Sequence, residues 1–324
     1  MKFFLAAGIG LLALGCARGD AAAGSSRLPR VLSSEFPVRL ELADGVLELP
    51  APPRRVLPAN AAWIDFVSVL IAPERVVALP NEAFGYSRLA RDPGDWAALP
   101  PFPTFEGERV LALAPDLVLA HAWQNPETIA SLRRAGVPVL VVPVPESWDE
   151  ILRTLELVGT VLGERARAGT LVAELEARRA RLAERGARFA RLRALSYTNL
   201  GAGGWVSGAN TTAEILFELA GVRNAAADAG LRGDVPADQE RLLALAPDLF
   251  LVGQPDRSES APPSASFLRT EPALRGLAAL RGDHIVTLPP ALFSTASPEL
   301  LAGAEELVAS LEAWERAGTL APAR

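Results

Sequence analysis

Residues 108–119 read ERVLALAPDLVL, and residues 240–251 read ERLLALAPDLFL. Ten of the twelve positions are identical across an interval of 132 residues. Each copy has the pattern of a short helix, a Pro-Asp corner and an apolar strand. Proline cannot continue a helix, and aspartate can accept hydrogen bonds from free amides beyond the corner. A repeat at this interval is domain-sized, which excludes a solenoid of short units and favours two related α/β lobes.

Between the copies, residues 164–185 read ERARAGTLVAELEARRARLAER. Gly163 is suited to ending the helix before it, and only Gly169 interrupts the run. At ~1.5 Å per residue it would span roughly 33 Å as one helix. Leu171, Leu175, Leu182 and Phe189 form a narrow apolar stripe, and charged residues occupy the rest, including Glu174 and Arg178 at ion-pairing distance i,i+4. The reading is a single connector helix, residues 164–190, joining two lobes.

Outward from the repeat, both lobes alternate strand and helix. Val38–Leu42 and Val46–Leu49 flank Asp44-Gly45 as a hairpin, closed by a proline-rich corner at Pro50–Pro53. In the first lobe the expected strands are 55–57, 75–79, 117–120 and 137–142, with helices from about Ile64 to Ile71 and from Pro126 to Ala135. Ser147 to Glu150 is a capping box opening another helix. The second lobe restarts with a strand at 193–197, a glycine-rich loop at 201–208, a helix at 212–220, strands at 249–252 and 284–288, and a helix from Pro298 to Trp314. Strands separated by helices imply parallel sheets covered by helices. The expected fold is therefore α/β: two Rossmann-like lobes, residues 37–163 and 191–324, joined by one long helix, with a ligand cleft between them.

With 324 residues, half of them hydrophobic, the chain can bury two cores. A formal charge of −6 argues against a nucleic-acid partner. Lys2 precedes an apolar run, Phe3 to Leu14, that is too short to span a bilayer, and Ala13-Leu14-Gly15-Cys16 follows. This junction resembles the lipobox of bacterial lipoproteins, which implies removal of residues 1–15 and a lipid on Cys16, with residues 16–36 as a tether. Cys16 is the sole cysteine, so there is no disulfide framework.

The order of hairpin, proline-rich corner, LALAPDLVLA, SWDEILRTLELVGTVLGERARA and the stretch from Thr212 to Val252 resembles the ABC-importer substrate-binding proteins for ferric siderophores, haem and cobalamin. The likeness covers about Val38 to Trp314. It implies a lipid-anchored, extracytoplasmic monomer without catalytic activity or resident cofactor. Such a protein holds a metal chelate between its lobes and delivers it to an ABC permease dimer. It also implies that one acidic residue per lobe pairs with permease arginines; the matching positions are Glu108 and Glu240.

Ligands of open α/β sheets sit beyond the carboxyl ends of strands. The candidates there are Asn60, Trp63, Tyr86, Phe102, Phe105, His121, Trp123 and Gln124 in the first lobe. In the second they are Tyr197, Asn199, Trp205, Gln254, Arg257, Phe293 and Ser294. Haem-binding members of the resembled family place a tyrosine just before the first repeat; Pro101 to Gly107 contains none, which argues against haem. His121 is a candidate axial ligand to a chelated metal. With only His121 and His284 as histidines, a site for bare zinc or manganese is not expected. An anionic catecholate would call for several arginines, of which Arg88 and Arg257 are the candidates; cobalamin or a neutral hydroxamate fits aromatic and amide loops at least as well. The rival readings are a sensing or scaffolding lipoprotein of the same fold and an exported enzyme. Against the enzyme, Ser207 stands one place late for G-x-S-x-G, and Val206 replaces the third glycine of a dinucleotide fingerprint.

Overall fold

A computed structural model describes residues 28–102, 104–199, 203–254 and 263–320. The leader, Cys16 and Arg257 lie outside the described residues. In the first lobe, Leu117–His121 is the central strand of a parallel sheet, flanked by Val56–Pro58 and Val139–Val142. Leu79–Pro80 and Pro101–Phe102 form a second, two-stranded parallel pair. In the second lobe the order is Asp234–Ala237, Gly204–Ser207, Arg193–Asn199, Leu249–Gly253, Ile285–Leu288, with Arg223–Asn224 also parallel to Arg193–Asn199. Three of those strands, Arg193–Asn199, Leu249–Gly253 and Ile285–Leu288, are parallel neighbours, as alternation of strand and helix demands. Gly204–Ser207 and Asp234–Ala237 add an antiparallel edge.

The repeated segment explains why both lobes look alike. Its helices are Gly107–Ala112 and Gln239–Leu245, and each ends at an alanine held left-handed, Ala114 at φ 44° and Ala246 at φ 42°. Asp116 then accepts the backbone N–H groups of Arg54 and Arg55 at 2.7 and 2.8 Å, and Asp248 accepts that of Arg193 at 2.8 Å. Each aspartate returns its own N–H to Arg55 or Arg193. The carboxylates therefore reach sideways to the strand that opens the lobe, where the sequence reading aimed them at amides beyond the corner.

The connector is the helix Arg165–Gly186, continued by a 3-10 turn Ala187–Phe189. Gly163, left-handed at φ 78°, ends the helix Trp148–Leu162 before it. The connector packs back along that helix, with Gly159 so close that an added Cβ would lie 2.3 Å from the Ala168 Cβ. Trp148 Nε1 donates to Glu176 at 3.0 Å, and Arg75 bridges Glu164 and the carbonyls of Pro53 and Leu162. On the second-lobe side it lies beside the terminal helix Glu299–Arg316. Arg178 pairs with Glu305 through two bonds of 3.1 and 2.8 Å, and Arg185 with Glu312 through 3.1 and 3.0 Å. Arg178 is thus taken by a neighbouring helix, not by Glu174 on its own. One apolar cluster runs from Val38 through Leu175 and Leu182 to Leu311, so the connector is braced by both lobes along its length.

Four local expectations are corrected. Arg30–Ser33, read as tether, is a strand paired with Val38–Leu42, because Val31 and Leu40 and then Arg30 and Glu41 match across it. The expected strand at 75–79 is split: Pro73 starts a 3-10 turn through Arg75, and regular pairing begins only at Leu79. The helix expected from Ile64 begins at Ala61, since Asn60 caps it. The glycine-rich loop is in part the strand Gly204–Ser207, whose Val206 is buried while Trp205 stays 46% exposed. No helix of the described residues is long and apolar enough to cross a membrane.

Candidate ligand-binding site

The first-lobe strands end at Pro58, His121 and Val142, and the residues just beyond two of them form one cluster. Asn60 caps the helix Ala61–Leu70, its Oδ1 accepting the Trp63 N–H at 3.4 Å. With the oxygen committed, Nδ2 donates to His121 Nδ1 at 3.0 Å and to Gln124 Oε1 at 3.3 Å. Gln124 locks the other side, accepting the His121 N–H at 2.9 Å and donating to the Ala59 carbonyl at 3.1 Å. His121 Nδ1 is therefore an acceptor, and the ring proton resides on Nε2. Burial pushes the ring's pKa down to about 4, so the imidazole is neutral at physiological pH.

Two indoles stack on that ring. Trp63 lies at a centroid distance of 4.6 Å and is fully buried; Trp123 lies at 6.4 Å and is 66% exposed. His121 Nε2 and Trp63 Nε1 are buried with no hydrogen-bond partner among the described residues. An unpaired buried donor is costly, and ligands or water commonly supply the missing acceptor.

The other expected site residues divide by burial. Trp63, Phe102 and Tyr197 are core side chains, correcting their assignment to the cleft wall. Tyr197 stacks on Phe267 and meets Phe250 edge-on, and its hydroxyl accepts Asn199 Nδ2 at 3.2 Å. Gly204 makes that packing possible, since a Cβ there would come within 2.5 Å of the tyrosine ring. Phe105, Asn199 and Phe293 are half-buried, with Phe293 against Gly253 at the end of the strand Leu249–Gly253. Tyr86, Trp123, Trp205, Gln254 and Ser294 are exposed. Arg88 is half-buried and contributes its backbone N–H to Asp65. Glu108 and Glu240 occupy the same first-turn position on the two repeated helices, and both are exposed.

A groove of about 940 Å³ lies between the N-terminal hairpin and the helix Pro126–Arg134, with Gln124 in its lining. All of its lining residues belong to the first lobe, and its charges are paired as Arg30 with Glu41 and Arg133 with Asp44. It is not the cleft between lobes. Among the described residues no three His, Cys, Asp or Glu side chains converge on a metal position.

Asp65 was missed by the sequence reading. A lone acid within the apolar helix AAWIDFVSVL was the available signal. It is buried, and its partners come from both lobes: the Arg88 N–H at 2.7 Å, Ser297 Oγ at 2.6 Å and Thr295 Oγ1 at 3.2 Å.

Two α/β lobes braced by one helix, with aromatic and amide side chains at the strand ends, are the architecture of the described residues. The model of the family described as "Periplasmic binding protein" matches residues 91–292, and the chain belongs to that family. The chain is 30% identical over 186 residues to a cobalamin-binding protein of Halobacterium salinarum, covering 55% of this chain and 50% of the relative. It is 24% identical over 210 residues to an uncharacterised ABC transporter substrate-binding lipoprotein of Bacillus subtilis, covering 63% and 64%. The chain thus spans about half the length of the first relative and less than two thirds of the second. The solved periplasmic heme-binding protein RhuT from Roseiflexus, in apo form, superimposes with a TM-score of 0.68 at 25% identity, covering 79% of this chain and 98% of that one.

Proposed function

We propose that the chain is the lipid-anchored substrate-binding component of an ABC importer and that it captures a bulky, uncharged metal chelate of the cobalamin or ferric hydroxamate class. The observation that carries this reading is the site around His121. Its ring is neutral, its Nε2 has no partner among the described residues, the buried Trp63 and the exposed Trp123 stack on it, and the polar groups around it are the buried amides of Asn60 and Gln124. The exposed Trp123 indole beside this buried amide network offers stacking area with no cationic clamp among the described residues, which suits a large neutral ligand better than an anionic catecholate. The loop before the first repeat carries Phe102 and Phe105 and no tyrosine, which favours cobalamin or a hydroxamate over haem. The Halobacterium relative supports cobalamin in particular.

Native mass spectrometry of the protein with cyanocobalamin, ferrichrome, haemin and a ferric tris-catecholate tests the class. A one-to-one complex with either of the first two is expected; preference for the catecholate, or binding only of a sugar or peptide, contradicts it. Delivery is assigned to Glu108 and Glu240 at matching places on the two lobes. Reversing both charges should abolish transport while leaving ligand affinity within about twofold, and the coupling should weaken with salt as exposed ion pairs do. Replacing Cys16 with serine should release the protein from membranes; continued acylation of that variant would refute the anchor.

A further inference from the structure

We propose that Asp65, Thr295 and Ser297 form a proton-responsive clasp between the two lobes, closed while the carboxyl is neutral and loosened when it ionises. Asp65 belongs to the first-lobe helix Ala61–Leu70, whereas Thr295 and Ser297 precede the terminal helix of the second lobe. The contact therefore spans the seam without passing through the connector. The ion pair between Arg91 and Glu299 crosses the same seam beside it.

The hydrogen bonds can be satisfied in either protonation state, which is what a switch needs. With Asp65 ionised, both hydroxyls donate to Oδ2 and the Arg88 N–H donates to Oδ1. With Asp65 neutral, its proton on Oδ2 is given to Ser297 Oγ, which turns its own proton to Thr295 Oγ1, 3.2 Å away. Ser297 Oγ also accepts the Glu299 N–H at 3.3 Å, so it stays fixed throughout. Ser297 is fully buried and Asp65 is 1% exposed, so closing the seam takes the carboxyl out of water.

The charged groups around Asp65 are few. Glu299 faces it and opposes a second negative charge. Arg91 is engaged with Glu299, and Arg88 offers its backbone amide. Arg167 of the connector binds the Val69 carbonyl farther along the same helix. On the helix Trp148–Leu162, Asp149, Arg153 and Glu156 are exposed and Glu150 is bonded to the Glu146 N–H. The strand Val56–Pro58, the helix Ala83–Tyr86 and the turn Pro290–Leu292 carry no charged side chain. Desolvation, only partly offset by its three donors, pushes the Asp65 carboxyl up to about 7. Opening the seam readmits water and returns the group toward its ordinary value, so the closed form holds the proton and the open form releases it. Raising the pH through about 7 must then favour opening, by at most about tenfold per pH unit for one proton.

The test is lobe separation in the ligand-free protein between pH 5.5 and 8.5. It is read by electron–electron double resonance with spin labels at Arg134→Cys and Arg275→Cys in a Cys16→Ser background. A wider population that grows up to tenfold per unit above pH 7, and is flat with pH in Asp65→Asn, is the expected result. An unchanged pH response in Asp65→Asn, or none in the otherwise native protein, overturns the clasp. Should Asp65→Asn not fold, two further readings decide it. Ser297→Ala should already be wider than the parent at pH 6, and the Asp65 carboxyl carbon should titrate near 7 by NMR. A midpoint in the ordinary carboxylate range, or a Ser297→Ala separation equal to the parent's, overturns it equally.

Discussion

Replacing two glycines of the connector by alanine should move stability in opposite directions. Alanine is favoured over glycine in a helix interior by about 1 kcal/mol. At Gly169 an added Cβ meets nothing within 4 Å, so Gly169→Ala should stabilise by about 0.5–1 kcal/mol. Gly186 has ordinary helical backbone angles, φ −72° and ψ −27°, so alanine is not strained there by conformation. Its Cβ, however, would lie 2.4 Å from the Ala220 carbonyl oxygen and 3.1 Å from the carbon of that carbonyl. These are backbone atoms and cannot turn aside. The end of the connector must back away from the helix Thr212–Ala220 by about 1 Å, at the ~1–3 kcal/mol typical of overpacking, so after the propensity gain a net loss of up to about 2 kcal/mol remains. For a chain of this size that lowers the melting temperature by up to about 3 °C. Thermal melts followed by circular dichroism, with urea midpoints alongside, compare the two variants directly. If both alanines raise the midpoint by the same amount, helix propensity alone governs the connector and its tight seating on the second lobe is refuted.

Removing the repeated carboxylates tests the lobe architecture. Asp116→Ala strips the acceptor from two backbone amides and should destabilise by about 1–3 kcal/mol; Asp248→Ala strips it from one and should cost less, with faster hydrogen exchange at Arg55 and Arg193 respectively. Neutral behaviour of both would leave the corner unexplained. His121 and Asp65 give opposing pH dependences. The His121 pKa is lower folded than unfolded, so its contribution is complete above about 6.5 and is lost as pH falls toward 4. Asp65 is raised, so its contribution is complete below about 4 and is lost as pH rises through 7. The two contributions should therefore nearly cancel between pH 4 and 6.5, and His121→Gln should add to the native profile a decline with rising pH of up to about 1.4 kcal/mol per unit, read from urea midpoints. Trp123→Ala should let water reach the imidazole and move its NMR titration midpoint up from about 4 toward 6.5; an unmoved midpoint would mean that Trp123 does not shield it.

The hairpin, the N-cap at Ser147, the αL glycine at 163 and the repeated corner were legible because each is written in neighbouring residues, although Glu150 closes its capping box on the Glu146 N–H and not on that of Ser147. What escaped depends on partners distant in the chain. Arg178 finds Glu305, 127 positions away, and no local spacing announces it. The run Gly204–Ser207 reads as loop because glycine is abundant there, yet it pairs as a strand with Arg193–Asn199 and Asp234–Ala237, and Gly204 leaves the space that Tyr197 fills. Among the site residues, Asn60, His121 and Gln124 were legible as groups at strand ends, and the structure joins them into one network. Trp63 and Trp123 looked equivalent in sequence. The first sits on the inward face of a helix and the second on an open turn, a difference set by how that helix packs.

The central claim is that a neutral metal chelate seats against the exposed indole of Trp123 at the end of the strand Leu117–His121. Titrating the protein with cyanocobalamin while following tryptophan fluorescence tests it most directly, since the corrin ring absorbs where indoles emit. Saturable quenching at one-to-one stoichiometry, reduced in Trp123→Phe and competed by ferrichrome if both share the site, is the predicted outcome. Saturable binding that leaves Trp123→Phe indistinguishable from the native protein, or no saturable binding of either chelate, would contradict it.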